Sequence, residues 1–281
     1  MAVVIGVHGI AQQRSDAQRQ SAMWSDALRL GLFAAGFPEQ ALPSLAVSFY
    51  GHVFTRGSRF LGVDDSPVAD EEAAFLAEAL DELAEGFSEQ ELCEMAARGR
   101  ALGPPALMPP ALLRRIGLVD ARWGHQAGKV IIRVLRQVYA YLFREAAGTE
   151  IRRIVAAEIG PETQVLIGHS LGSVVGYDLL RRGMATAVST LVTLGSPLSW
   201  ATVRRALRGT RPDLSVPEGV AWRNVFDPWD VVTGGRGLEP PATDYQVHNG
   251  RVDPHALVGY LRQPATARLV LAGAARSGSA Q

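Results

Sequence analysis

The stretch Val165-Leu-Ile-Gly-His-Ser-Leu-Gly-Ser-Val-Val-Gly-Tyr-Asp178 restricts the fold of this chain more than any other. Val165 to Ile167 is an unbroken apolar run, as a strand buried on both faces requires. After Leu171 the period changes, and Val174, Val175, Leu179 and Leu180 can share one face of a helix. The change falls within Gly168-His169-Ser170-Leu171-Gly172. A strand that folds straight back into a helix leaves no room for Cβ atoms at Gly168 and Gly172, and it holds Ser170 on a sharp, strained turn. Leu171 then opens the helix, so its N–H has no partner within that helix.

Composition sets the outer bounds. A chain of 281 residues, 47% hydrophobic and 20% charged, has material for one large α/β domain. Its formal net charge of zero gives no electrostatic reason to expect a nucleic-acid or anionic-membrane partner. Cys93 is the only cysteine, which excludes an intrachain disulfide and suits a reducing compartment. Met1 to His8 is apolar without a basic flank or a cleavage site, and no run is long enough to span a bilayer. The expectation is a cytoplasmic globule without stable membrane insertion; oligomeric state is left open.

Taken in order, Ala2 to Val7 is a β-branched run that ends in His8-Gly9-Ile10. Ser15 to Gly36 reads as a helix and Ala46 to Tyr50 as a second strand. Between 52 and 160 helical spacing takes over: Leu76, Ala79, Leu80, Leu83 and Phe87 in an acidic helix, then Val130 or Ile131, Val134, Leu135, Val138 and Leu142 in a basic one. Charges on these helices are expected to form solvated faces rather than to pair. Between them the four prolines of Leu102 to Leu113 are expected to exclude regular helix. Further strands are predicted at Thr163 to Gly168, Val188 to Leu194, Val220 to Phe226 and Tyr245 to Val247, and the tail from Ala274 to Gln281 is expected to fray. Strands alternating with helices predict a single α/β domain with a doubly wound, mostly parallel sheet. The block from 52 to 160 is then a mainly helical insertion, expected to cap the serine.

With strand-His8-Gly9-Ile10, the Gly168-His169-Ser170-Leu171-Gly172 turn, a later strand ending in acids and a late histidine, the sequence resembles the α/β-hydrolase superfamily, nearest to its small esterases and lipases. The likeness covers about Ala2 to Tyr50 and Thr163 to Leu261. It departs from many members in placing the helical block after an early strand. The resemblance implies the superfamily's fold, an acyl-serine mechanism on a carboxylic ester, Ser170 as nucleophile, and an oxyanion hole from the N–H groups of Ile10 and Leu171, supported by His8, Gly9, Gly168, His169 and Gly172.

The acid and the base must follow the serine in that chain order. Asp227 and Asp230 are the acids on offer. Asp227 precedes Pro228, a turn-forming pair, so Asp230 is preferred and Asp227 kept as the alternative. His52 and His125 come before the serine. Of the two later histidines, His248 continues the last strand and His255 sits in a loop that leads into a helix, so His255 is preferred and His248 is the alternative. The site calls for no metal and no cofactor: His248, Asp253 and His255 lack a ligand spacing, and no phosphate loop occurs. A small ester or acyl compound is the expected partner. Alternatives are an amidase, peptidase or acyltransferase using the same residues, or an idle hydrolase scaffold that only binds.

Overall fold

A computed structural model describes residues 3–9, 16–54, 67–84, 109–124, 126–208 and 213–275. Strands β1 (Val4–Val7), β2 (Leu45–Ser48), β3 (Val165–His169), β4 (Thr190–Leu194), β5 (Ala221–Phe226) and β6 (Thr243–Gln246) form one sheet in the order β2-β1-β3-β4-β5-β6. Every pairing is parallel. Val4 lies beside both Leu45 and Val165, and Val165 beside Thr190, so the carboxyl ends of the central strands finish together. β1, β3 and β4 are buried at every residue, which explains why they read as unbroken apolar runs rather than alternating ones.

Helices cover both faces. After β1 comes α1 (Ala17–Ala34), begun by Asp16, whose side chain accepts the Arg19 N–H at 2.8 Å. Between β2 and β3 lie α2 (Asp70–Ala84), α3 (Pro110–Trp123), α4 (Ala127–Phe143) and α5 (Glu145–Glu158). After β3 comes α6 (Leu171–Arg181), after β4 α7 (Ala201–Arg208), and after β6 α8 (Leu257–Leu261) and α9 (Pro264–Ala274). Trp24, Leu28, Tyr260 and Val270 from α1, α8 and α9 pack with Ile167, Val192 and Val225 on one face. On the other, Leu76, Val134, Ile151, Val174 and Val203 from α2, α4, α5, α6 and α7 pack with Leu166, Leu191 and Trp222. Much of the block between 52 and 160 thus forms the layer on that second face, and α4 also touches the turn after β5.

The order of strands reverses between β1 and β3, since β1 is followed by β2 on one side and the rest of the chain builds outward on the other. In open parallel sheets that reversal leaves a crevice at the carboxyl ends where ligands bind. Gly9 leaves β1 and Ser170 leaves β3 on its two sides.

Three sequence expectations are corrected. The acids of α2 do not all form a solvated face, and several pair: Glu72, 1% exposed, meets Arg136 of α4 at 2.7 Å and Arg144 at 3.6 Å. Asp81 pairs with Arg115 of α3 at 2.6 Å, Glu78 with Arg205 and Glu82 with Arg236. Burial explains the pairing of Glu72, because a carboxylate packed between helices has to be matched by charge, whereas Glu78 and Asp81 remain more than half exposed. Next, the last four residues of the proline-rich stretch belong to α3, with Pro110 at its start. Proline is tolerated there because the N–H it lacks has no helical acceptor anyway; Leu102 to Met108 lie outside the described residues. Finally, Ala274 closes α9 rather than opening a tail. No helix among the described residues is long and apolar enough to cross a membrane.

Candidate functional site

Ser170 sits between β3 and α6 at φ 54°, ψ −126°, a conformation that costs a non-glycine residue about 1–3 kcal/mol. The surroundings impose it. The Ser170 N–H donates to the Leu194 carbonyl at 3.0 Å, tying the turn to β4. Its carbonyl accepts from the Ser173 N–H at 2.9 Å and from Ser173 Oγ at 2.6 Å. Ser173 Oγ also lies 2.7 Å from Ser196 Oγ, just past the end of β4. The flanking glycines are sterically required: a Cβ on Gly172 would lie 2.0 Å from the Val7 carbonyl oxygen, and one on Gly168 would lie 2.5 Å from that of Gly172.

The loops after β4, β5 and β6 bring the other groups to the same edge. Asp230 caps the short turn Val231–Thr233, its Oδ1 accepting the Val232 N–H at 2.9 Å. Its Oδ2 accepts from His255 Nδ1 at 2.8 Å and from the Tyr260 hydroxyl at 2.8 Å. Gly195 lies against this pair, since a Cβ there would fall 2.8 Å from Asp230 Oδ2 and 3.2 Å from His255 Nδ1. The imidazoles of His255 and His169 are 4.7 Å apart, and His169 Nε2–H donates to the His255 carbonyl at 2.9 Å. His255 is therefore lodged against the residue that precedes Ser170.

Two atoms at this place have no hydrogen-bond partner although they are buried: Ser170 Oγ and His255 Nε2. Burying an unsatisfied polar atom costs about 1–3 kcal/mol, so a pair of them, one a hydroxyl and one a ring nitrogen, asks for a functional explanation. With Nδ1–H committed to Asp230, the neutral ring presents a lone pair at Nε2, which can accept a proton.

The other sequence candidates fall as follows. Asp227 is wholly buried, but its oxygens accept the N–H groups of Trp229 at 2.8 Å and Asn249 at 2.5 Å, the work of a turn residue. His248 lies just past β6 with its side chain exposed, and His52 is exposed too. Neither Asp227 nor His248 is joined to the Asp230–His255 pair as acid or base. Leu171 is the first residue of α6 and fully buried. His8 Nε2 accepts the Tyr50 N–H at 3.1 Å, so Nδ1 carries the proton and donates to Gly9 O at 2.7 Å. The Tyr50 hydroxyl donates to the His8 carbonyl, and the two rings stack at 4.1 Å. That fixes the turn after β1, where a Cβ on Gly9 would lie 2.7 Å from Ser170 Cβ. Ile10, Cys93 and His125 lie outside the described residues.

Burial sets the charge state of two histidines beside the serine turn. Burial pushes His169 down to about 3, with the nearby His255 lowering it further against the pull of Asp230. Burial likewise pushes His8 down to about 4, partly offset by its bond to Gly9. Both are neutral at physiological pH. Burial alone would raise Asp230, but the charge and hydrogen bond of His255, with the donors Tyr260 and Val232, outweigh it and hold the carboxyl below its usual range.

Tyr260, Ser173, Ser196 and Tyr50 were not singled out from sequence. Nothing local marks them, because each acts on a residue brought near only by the sheet. A separate cleft of about 660 Å³ lies between α2, α7 and the loop at 236–239. It is lined by Glu78, Glu82, Arg204, Arg205 and Arg236, and none of the site residues borders it. No protein-family model, curated protein or solved structure matches the chain.

Proposed function

We propose that this protein is a serine hydrolase of α/β-hydrolase type that cleaves a carboxylic ester through an acyl-serine intermediate. The observation that carries the reading is the coincidence, at one sheet edge, of a strained Ser170 with an unpartnered Oγ and a His255 with an unpartnered Nε2 backed by Asp230. In this reading Ser170 Oγ attacks the ester carbonyl while His255 Nε2 takes its proton, and Asp230 stabilises the imidazolium and keeps Nδ1 as the protonated nitrogen. The oxyanion of the tetrahedral intermediate takes hydrogen bonds from the Leu171 N–H, free at the head of α6, and from the Ile10 N–H after β1. The imidazolium then protonates the leaving alcohol. Water, deprotonated by the same histidine, releases the acid and restores the serine.

The block between 52 and 160 is assigned to substrate access. Support comes from α4, which packs against the turn Val231–Thr233 that Asp230 caps. The test is labelling of purified protein with a fluorophosphonate, followed by peptide mapping and a panel of esters and amides. One adduct on Ser170, none on Ser170→Ala, and a drop of about 10³-fold or more in kcat for that variant are expected. An adduct elsewhere, or native ester turnover by Ser170→Ala, overturns the reading.

A further inference from the structure

We propose that Tyr260 is a positioning residue that holds the Asp230 carboxylate and sets the basicity of His255. The inference rests on the hydrolase reading for its consequence, though not for its geometry.

The direction of each hydrogen bond follows from the donors present. The Asp227 N–H can only donate, and it does so to the Tyr260 hydroxyl at 3.1 Å. The hydroxyl must then send its own proton to Asp230 Oδ2 at 2.8 Å. That oxygen is the one that holds His255 Nδ1 at 2.8 Å, while the opposite oxygen is anchored by Val232. Asp230 and Tyr260 are both buried, so water does not replace a lost donor cheaply. Burial, with the adjacent Asp230 charge, also holds the phenol well above its usual pKa, so it stays a donor wherever the protein is folded.

Two effects follow. Tyr260 orients the carboxylate, because without it only Val232 and His255 fix the group. It also draws electron density from the oxygen that faces the imidazole, which makes the imidazolium less favourable. A tyrosine that merely filled the core would leave the histidine's basicity unchanged.

The test uses the full chain. His255 is titrated by NMR in Ser170→Ala and in Ser170→Ala/Tyr260→Phe, and the rate of fluorophosphonate labelling is followed against pH in the native protein and Tyr260→Phe. Loss of the hydroxyl should raise the His255 midpoint by about 0.5 pH unit or more, with the acid limb of labelling moving the same way. Labelling at the plateau should slow by about tenfold. Replacing Tyr260 with 3-fluorotyrosine, a stronger donor of nearly the same shape, should move the midpoint down; this arm decides the matter if Tyr260→Phe does not fold. An unchanged or lowered midpoint in Tyr260→Phe, or an unchanged or raised one with fluorotyrosine, overturns the inference. If the midpoints move as expected but Ser170 never labels, the hydrolase reading falls while the Tyr260–Asp230–His255 coupling stands. If Ser170 labels with pH profiles identical in both proteins, the coupling falls and the hydrolase reading stands.

Discussion

Replacing Gly9 with alanine tests how tightly the turn after β1 holds the serine. The new Cβ would lie 2.7 Å from Ser170 Cβ and 3.0 Å from both the Nδ1 and the carbonyl oxygen of His169. Ordinary carbon–carbon contact begins near ~3.5 Å, so Ser170 and Gly9 must part by about 0.8 Å. Neither side yields easily. The Ser170 turn is tied to β4 through Leu194, and the Gly9 turn is tied to Tyr50 through both ring and backbone of His8. A displacement of about 1 Å at a reacting group costs roughly 10²-fold in rate, and overpacking of this kind costs about 1–3 kcal/mol of stability. Gly9→Ala should therefore label with fluorophosphonate about 10²-fold more slowly while losing only a few kcal/mol in urea unfolding. Gly183→Ala is the control: its φ of 69° strains an alanine, but nothing lies within 4 Å of the added carbon. It should lose about 1 kcal/mol and label normally. Native labelling by Gly9→Ala, or equal slowing in both variants, would refute the argument that this contact aims the serine.

Two further predictions concern buried charge. Glu72→Leu should destabilise by about 3–5 kcal/mol in urea unfolding, because it removes the carboxylate that faces the buried Arg136 charge, whereas Glu72→Leu/Arg136→Met should recover most of that loss; a mild single variant or an equally unstable double one contradicts the buried pairing. His8 and His169 have folded pKa values of about 4 and about 3, below the ordinary ~6.5, so the unfolded chain binds more protons between these limits. Stability should be complete above pH ~6.5, fall as pH drops below it, and level off in these two contributions only below about 4 and about 3. NMR should show neither ring titrating between pH ~8 and ~5, and a midpoint near ~6.5 for either one would disprove its burial as a neutral group.

Much of this protein was legible from short stretches of sequence. The six strands, α1 and α6 each occupy the segment where periodicity placed them, displaced by a residue or two at most ends. The positive φ at Ser170 follows from a strand and a helix joined through Gly168 and Gly172. Such features are decided by neighbours within one or two turns of chain, where steric rules and hydrophobic period act directly. Sequence also offered two candidates each for an acid and a base, and the Asp-Pro turn favoured Asp230. Only the assembled sheet joined Asp230 to His255 across 25 positions and set Tyr260 on the same oxygen from 30 positions away. Glu72 of α2 shows the same limit, since its place among acids suited a solvated face until α4 packed against it and set Arg136 beside it, 64 positions on. Period and turn chemistry are local, but burial and partner choice depend on which strands lie side by side, and the β2-β1-β3-β4-β5-β6 order exists only once the chain is folded.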